Sequence, residues 1–263
     1  MDSRRDSPPI LTLLTDFGTR DYYVAAVRGT ILRLAPGAHI VDLSHDIEPG
    51  DLEAAAFLLA AAAPAFPPRT LHLAVVDPGV GSARRMLCLE TSEATFLAPD
   101  NGLLGTLLGI PDSILRVIDR PDLYLEPPGA TFHGRDRFAP IAAALLRGLA
   151  AAELGPLCLD PVRQDIPAPE RRDREILGRV AHVDRFGNLI TDVPMDWLGG
   201  APWEARVGSH QARRRVTHYA ELSAGEVGLL AGSLGTLELA LAGESLATRW
   251  AVRRGERVRL SSS

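Results

Sequence analysis

Apolar and polar positions divide the chain into two halves with different periods. In the first half, apolar runs such as residues 10–15 alternate with segments of helical spacing such as residues 22–34. This alternation predicts strands joined by helices, as in a largely parallel sheet covered on both faces. Further predicted strands are residues 39–43, 71–76, 86–90 and 95–98. Further predicted helices are residues 51–63, with Asp51 as the N-cap, and residues 138–149.

The pattern changes near residues 161–174, which are rich in proline and charge. Beyond them, short alternating segments follow one another and helical periods nearly vanish, which predicts a small antiparallel β-domain of barrel or sandwich type. The predicted fold is α/β, with an N-terminal α/β domain over residues 9–165 and a β-barrel-like C-terminal domain over residues 172–262. The predicted C-terminal strands are residues 178–184, 189–193, 203–207, 227–231, 237–241 and 257–260.

Composition is that of an ordinary globular protein. The chain has 263 residues, of which 46% are hydrophobic and 23% charged, and a formal net charge of −5. It is long enough to bury a sizeable core, and a disordered or collagen-like chain is excluded. The mild acidity argues against a nucleic-acid partner. All 28 cationic side chains are arginine, so a Walker P-loop and lysine Schiff-base chemistry are excluded.

Cysteine usage and hydropathy indicate the compartment. Cys88 and Cys158 are the only cysteines and form no CxxC pair, which fits a reducing cytoplasm and excludes a four-thiolate zinc site. The polar N-terminus leads into no apolar signal core. The longest apolar stretch, residues 54–66, is broken by Pro64 and falls short of the roughly 20 residues that a spanning helix needs. We expect a cytoplasmic protein with no membrane partner.

Short polar clusters follow the predicted strands, and one precedes a helix. Parallel sheets bind ligands beyond the carboxyl ends of their strands, so these positions are candidates for a site. Each cluster alone is also typical of a turn, but five at one sheet edge favour binding or catalysis. The clusters are TDFG at 15–18, SHD at 44–46, DPGVG at 77–81, PDNG at 99–102 and FHGRD at 132–136.

Common site motifs do not account for these clusters. Carboxylates and histidines at strand ends first suggest a metal-dependent phosphohydrolase, yet no HxH, HxxxH or DxD occurs among the clusters. The GVG in residues 77–81 is no dinucleotide fingerprint, because no GxGxxG opens a helix. A GxSxG nucleophile elbow is absent, since GSLG at 232–235 has the wrong spacing.

Five motifs taken in order resemble one family. The resemblance covers residues 11–247 and is to the S-adenosylmethionine (SAM) hydroxide adenosyltransferases, the SAM hydrolases related to fluorinase and chlorinase. It implies an α/β domain followed by a small barrel-like domain, and a homotrimer that binds SAM between domains of neighbouring subunits. It also implies hydrolysis of SAM to adenosine and methionine without a cofactor or metal. The motifs are TDFG at 15–18, VDPGVG at 76–81, APDNG at 98–102, FHGRD at 132–136 and DRFGN at 184–188.

The resemblance also implies a catalytic set. The aspartate of VDPGVG is Asp77, the arginine seven positions later is Arg84, with Arg85 as the alternative, and the histidine of FHGRD is His133. In halogenating relatives the positions of this aspartate and histidine hold other residue types, so their retention favours water over halide. Asp16 of TDFG resembles the residue that binds the ribose hydroxyls.

Further substrate contacts are implied in the second half. Asp184 and Asn188 of DRFGN resemble residues that contact the amino-acid group of methionine, and Phe186 resembles one that packs on adenine. The same stretch also fits a hairpin turn. Ser233 lies where the family usually has an Asn-Ser pair, and Gly232 replaces that asparagine.

The implied reaction is chemically coherent. C5′ of SAM is bonded to a cationic sulfonium and methionine leaves as a neutral thioether, so the leaving group needs neither a general acid nor a metal. What remains is a water held in line behind C5′. Arg84 can stabilise a developing hydroxide, and either Asp77 or His133 can accept the proton. Three alternatives remain: a halogenase-like nucleophile transferase, a non-catalytic SAM- or adenosine-binding protein, and the metal-dependent phosphohydrolase.

Overall fold

A computed structural model describes residues 8–127 and 129–262 of the protein. The chain divides between Asp165 and Ile166 into two compact units, and each unit has its own buried core. Within the described residues, no helix is long and apolar enough to cross a membrane. The domain limits 9–165 and 172–262 stay a prediction.

The first unit is built on a six-stranded sheet. Its strands are β1 (Ile10–Thr15), β2 (His39–Ser44), β3 (Thr70–Val75), β4 (Met86–Glu90), β5 (Ala94–Pro99) and β6 (Ile114–Val117). The strand order is β2-β1-β3-β5-β4-β6, with β2, β1, β3 and β5 parallel and β4 antiparallel to both of its neighbours. The largely parallel sheet is therefore confirmed.

Helices cover both faces of this sheet. They are α1 (Tyr23–Leu34), α2 (Leu52–Ala62) and α3 (Ala139–Leu146). Successive residues of a strand point to opposite faces, and Leu13 and Leu14 of β1 are both fully buried. Leu13 packs with Val27 of α1 and Ile141 of α3, whereas Leu14 packs with Leu59 of α2. This two-sided burial explains why the strands are continuously apolar.

Local signals set the helix ends. The carboxylate of Asp51 accepts a hydrogen bond from the amide of Ala54 at 3.0 Å, which confirms its predicted role as the N-cap of α2. The helix predicted over 138–149 is shorter and begins differently. A π-helical turn over Gly134–Phe138 precedes α3, and the chain leaves the helix at Gly148, whose φ is +101°.

The second unit is a nine-stranded, mainly antiparallel sheet that nearly closes into a barrel. Its elements are β7 (Glu170–Arg172), β8 (Glu175–Val183), β9 (Leu189–Pro194), β10 (Trp203–Val207), β11 (His210–Ala212), β12 (Arg214–Arg215), β13 (Val227–Ala231), β14 (Thr236–Leu241), α4 (Leu246–Trp250) and β15 (Arg257–Ser262). The strand order is β11-β10-β15-β8-β9-β14-β13-β12, and β7 pairs with β8.

The barrel-like form depends on the long strand β8. Its first half pairs with β15 and its second half with β9, so the sheet turns a corner along this strand. In β9, Leu189, Thr191 and Val193 are buried while the residues between them are partly exposed. This period of two is the pattern that predicted the β-domain, and the predicted fold class is confirmed.

Candidate active site

A cavity of about 390 Å³ lies at the carboxyl ends of β1 and β3. This is where a parallel sheet is expected to bind its ligand. Three residues singled out from the sequence, Asp16, Asp77 and His133, line it together. Its walls are formed by Asp16, Phe17, Tyr22, Tyr23, Val75, Asp77, Val80, Thr131, Phe132, His133, Gly134 and Arg135.

Asp77 and Arg84 form a buried ion pair beside this cavity. Their side chains are 5% and 8% exposed. Nε of Arg84 donates to Oδ1 of Asp77 at 2.7 Å and to Oδ2 at 2.8 Å, and Nη2 also contacts Oδ2. The turn between them is held by Ser82, whose hydroxyl donates to the Gly79 carbonyl and accepts from the Arg84 amide. The chain therefore turns back so that Arg84, seven positions after Asp77, contacts it.

The same arginine also fixes His133. Nη2 of Arg84 lies 2.9 Å from Nδ1 of His133. A guanidinium has only N–H donors, so Nδ1 accepts and the proton of a neutral ring is on Nε2. Burial lowers the pKa of His133, and the positive charges of Arg137 and Arg84 lower it further. His133 is therefore a neutral imidazole near pH 7, and the lone pair on its Nδ1 accepts the hydrogen bond from Arg84.

Two nitrogens of this cluster are buried and have no hydrogen-bond partner within residues 8–127 and 129–262. They are Nη1 of Arg84 and Nε2 of His133. Buried donors without a partner are costly and rare in native proteins. Both atoms are N–H donors in the tautomer assigned above, so the cluster is suited to a ligand oxygen that accepts hydrogen bonds.

Arg85 makes a different set of contacts. Its Nε donates to Oδ2 of Asp100 at 2.7 Å, and its Nη1 donates to Oδ1 of Asp160 at 2.7 Å. These hydrogen bonds raise its pKa, that to Asp160 most. Of the two arginines that the sequence offered, Arg84 is the one that contacts Asp77 and His133.

A glycine brings His133 close to the first strand. His133 directly precedes the π-helical turn, and Gly134 is the first residue of that turn. A Cβ at Gly134 would lie 3.3 Å from Cζ of Phe17 and 3.5 Å from Cγ1 of Val75. The first separation is tight and the second is an ordinary contact, so the glycine of FHGRD allows the turn to approach the Phe17 ring. The next carboxylate, Asp136, is buried and accepts from Nε of Arg135 at 2.6 Å.

Asp16 shares the cavity with four aromatic rings. Its Oδ2 accepts a hydrogen bond from the Gly50 amide at 2.9 Å. Neighbouring ring centroids lie 4.7 to 6.5 Å apart. Sequence reasoning missed the aromatic wall, although two tyrosines soon after TDFG and the phenylalanine of FHGRD were available as a signal. The rings belong to Phe17, Tyr22, Tyr23 and Phe132.

In the second unit, the DRFGN motif forms a tight turn between β8 and β9. Oδ1 of Asp184 accepts from the amides of Phe186 and Asn188, both at 2.9 Å, and Oδ2 accepts from Nδ2 of Asn188 at 2.9 Å. Gly187 has a φ of +83°, and a Cβ there would lie 2.0 Å from Oγ of Ser245. The turn presents Phe186 with 77% of its surface exposed.

Ser233 lies in a separate loop, between β13 and β14, and is exposed. Beside it, a Cβ at Gly232 would lie 3.2 Å from Oε2 of Glu238 and 3.3 Å from the carbonyl oxygen of Thr236. Glu238 is 5% exposed and accepts a hydrogen bond from the Tyr219 hydroxyl at 2.5 Å. A carboxylate therefore stands close to the space that an asparagine at 232 would enter.

Models of two protein domains match the chain. The SAM hydroxide adenosyltransferase N-terminal domain matches residues 11–155, and the SAM hydroxide adenosyltransferase C-terminal domain matches residues 178–259. The chain belongs to the SAM hydroxide adenosyltransferase family. This confirms the resemblance inferred from the five motifs.

Two named relatives and one solved structure are similar to this chain over nearly its full length. A protein of Thermus thermophilus named (R)-S-adenosyl-L-methionine hydrolase is 40% identical, over 94% of this chain and 97% of its own. One of the same name from Salinispora tropica is 35% identical, over 97% and 98%. The crystal structure of an uncharacterized conserved protein from Thermotoga maritima superposes with a TM-score of 0.90 at 32% identity, over 95% and 99%. A Nocardia brasiliensis fluorinase is more distant, at 27% identity over 70% and 71%.

Proposed function

We propose that this adenosyltransferase-family chain hydrolyses SAM to adenosine and L-methionine by attack of an activated water on C5′ of the ribose. The observation that carries the proposal is the buried cluster of Asp77, Arg84 and His133 at the cavity wall. The names of the full-length relatives support the same reaction.

Hydrogen-bond directions assign separate roles within this cluster. Nδ1 of His133 accepts from Arg84, so His133 offers its Nε2–H as a donor to the oxygen of the attacking water. The second donor is the free Nη1 of Arg84. Two fixed donors stabilise negative charge as it develops on that oxygen. Asp77 is then the group that accepts the proton, because its carboxylate is the acceptor of the set.

The leaving group needs little help from the protein. The electron pair of the C5′–S bond goes to a sulfonium sulfur, which becomes a neutral thioether as the new C5′–O bond forms. No proton has to be supplied to methionine, and the reaction is proposed to need neither metal nor cofactor. The protein therefore has to hold C5′ and the water in line.

Substrate contacts are proposed from both units. Asp16 binds the two ribose hydroxyls, because a carboxylate that accepts one bond from the Gly50 amide keeps further lone pairs for them. In the second unit, Phe186 packs on adenine, Asp184 and Asn188 bind the amino-acid group, and Ser233 also contacts the substrate. Asp184 also accepts the hydrogen bonds that order its own turn, so it contributes both to substrate binding and to the local structure.

The assembly proposed is a homotrimer in the cytoplasm, with each site shared between the first unit of one subunit and the second unit of its neighbour. The exposed ring of Phe186 supports a contact made outside its own turn. Mixing inactive Arg84→Gln chains with inactive Phe186→Ala chains should restore activity, because some sites would combine two intact halves. Light scattering should give about three times the chain mass. No recovery, or a monomeric mass, would contradict shared sites.

The deciding assay incubates purified protein with SAM in EDTA without added halide and separates products by chromatography. Adenosine and methionine should appear in equal amounts, and His133→Ala should abolish them. His39→Ala is the matched control, because His39 is an exposed histidine of the same unit. SAM binding without turnover would favour a binding protein, and activity lost in EDTA a metal enzyme.

One alternative has an observation in its favour. The fluorinase match suggests a nucleophile other than water. Adding fluoride or chloride to the same assay tests this, because a halide nucleophile would replace adenosine by a 5′-halogenated nucleoside. The intact set of Asp77, Arg84 and His133 favours water.

A further inference from the structure

A buried histidine outside the catalytic cluster holds the loop that carries Asp16. His45 follows β2 and is 6% exposed. Its Nδ1 lies 2.8 Å from Oγ1 of Thr15, the fully buried last residue of β1. This hydrogen bond joins the ends of two neighbouring parallel strands at the edge of the sheet where the cavity lies.

The direction of this hydrogen bond follows from its surroundings. Nε2 of His45 lies 3.3 Å from Oδ1 of Asp42, whose other oxygen accepts from Nη1 of Arg28 at 2.6 Å. Nε2 makes no hydrogen bond within the described residues, but the nearby carboxylate charge favours a proton on this nitrogen, so Nε2 carries it and Nδ1 accepts. The Thr15 hydroxyl then donates to Nδ1, and its oxygen remains free to accept.

The Thr15 hydroxyl oxygen accepts a hydrogen bond from the backbone of the loop. The amide of Phe17 donates to Oγ1 of Thr15 at 3.3 Å, and the amide of Gly18 donates to the carbonyl oxygen of His45 at 2.8 Å. Two consecutive amides beyond Asp16 are therefore bonded to the Thr15–His45 pair. Asp16 is also held from the other side by the Gly50 amide.

Both side chains on this loop matter to the cavity. Asp16 and Phe17 line it, and the ring of Phe17 lies against the backbone of Gly134, next to His133. A shift of the loop would displace the carboxylate assigned to the ribose. Asp77, Arg84 and His133 are held by their own hydrogen bonds and would move less.

We propose that Thr15 and His45 are positioning residues that set the place of Asp16 and Phe17 in the substrate cavity. This inference rests on the proposed SAM hydrolysis. Neither side chain needs to touch substrate, since both act through the backbone of the loop.

The first test compares Thr15→Val with Thr15→Ser in the full-length enzyme. Valine keeps the branched shape but removes the hydroxyl, whereas serine keeps the hydroxyl. Thr15→Val should raise KM for SAM about tenfold and change kcat less than about threefold, because Asp16 contributes mainly to binding. Thr15→Ser should restore a KM close to that of the parent. Equal KM values for the two variants would overturn the proposal.

The same strand provides a control for the loss of a buried hydrogen bond. Oγ1 of Thr12 lies 2.7 Å from Nδ1 of His72, and both residues are fully buried. This pair is the counterpart of Thr15–His45, but neither member lines the cavity. Thr12→Val should lower the unfolding midpoint to a similar extent and leave KM unchanged. An equal rise of KM in Thr12→Val would mean that the effect is only one of stability.

A second variant pair tests the histidine. Asparagine places an amide oxygen near the position of Nδ1 and so keeps an acceptor for Thr15, whereas leucine removes it. His45→Leu should reproduce the KM effect of Thr15→Val, and His45→Asn should recover most of it. The Thr15→Val/His45→Leu double variant should have no higher KM than either single variant, because both substitutions remove the same hydrogen bond. Fully additive losses would contradict a shared role.

Hydrogen exchange separates this inference from the proposed function. A peptide that contains the Phe17 and Gly18 amides should exchange faster in Thr15→Val than in Thr15→Ser. Parent protein that releases no adenosine from SAM would overturn the proposed function and this inference with it. An active parent with unchanged exchange and unchanged KM in Thr15→Val would overturn only the positioning role.

Discussion

Two consecutive arginines of this chain serve two different clusters. Arg84 bonds Asp77 and His133 beside the cavity, whereas Arg85 bonds Asp100 and Asp160 away from it. Both pairs join a guanidinium to a buried carboxylate. They differ in what is left over: the Arg84 cluster keeps two buried N–H groups without a partner in the described part of the chain, Nη1 of Arg84 and Nε2 of His133. Of these two clusters, the one beside the cavity is therefore the one that keeps buried donors for a ligand.

Replacing each arginine by glutamine gives the largest expected difference. Arg84→Gln should lower kcat by about 10³-fold, because it removes a donor to the attacking oxygen and the bond that orients His133. Arg85→Gln should change kcat by less than about threefold, since neither Asp100 nor Asp160, the carboxylates that it bonds, lines the cavity. Steady-state assays of adenosine release measure both. If Arg85→Gln were the inactive variant, the assignment would be reversed.

Within the Arg85 cluster, removing the buried carboxylate should cost more unfolding free energy than removing the exposed one. Asp100 is buried and accepts from Nε of Arg85 and from the Val162 amide at 2.8 Å. Asp100→Ala leaves that amide without a partner and should cost about 2 kcal/mol of unfolding free energy. Asp160→Ala is the matched control, because an exposed carboxylate contributes at most about 1 kcal/mol. Urea unfolding measures both, and equal costs would contradict the distinction.

The pH dependence of kcat/KM tests the electrostatics of the Arg84 cluster. Burial, Arg137 and Arg84 lower the pKa of His133 below its usual value near 6.5. His133 therefore takes up its proton only at lower pH, and the acid limb should lie below 6.5, with a tenfold loss per unit. Arg137→Gln removes a positive charge that lowers the pKa of His133, so it should move the limb to higher pH. Arg85→Gln should leave it in place.

Glu238 is a buried carboxylate like Asp77 and Asp100, but it has no arginine among its hydrogen-bond partners in the described residues. Burial raises its pKa, so the folded state favours the protonated form and ionisation costs stability as pH rises through the raised pKa. Glu238→Gln should therefore stabilise the fold at pH 7, with a smaller gain near pH 4. Glu226, whose pKa is lowered first by its hydrogen bond to Arg214, should respond in the opposite direction. Thermal unfolding at the two pH values measures this.

Much of the fold could be predicted because period and turn chemistry are local. The boundaries of β1, β4, β10 and β13 agree with the predicted segments, and the Asp51 cap was visible in the sequence. The two-residue strand β12 and the five-residue helix α4 are too short to show a period.

The site was less accessible from the sequence. The family resemblance implied Asp77, Arg84 and His133 but left Arg85 as the alternative to Arg84. That choice depends on the backbone direction after the turn at Ser82, which spacing does not encode. The Thr15–His45 pair was missed because a contact between two parallel strands leaves no spacing signal within either strand.

The close approach of Gly232 to Glu238 has a consequence for how this sequence can change. An asparagine at 232 would place its Cβ 3.2 Å from Oε2 of Glu238, so this carboxylate, whose other oxygen Tyr219 already holds, would have to shift slightly. The effect of a substitution at 232 therefore depends on the residue at 238. We expect the two positions to be epistatic, with Gly232→Asn tolerated better when residue 238 is shortened.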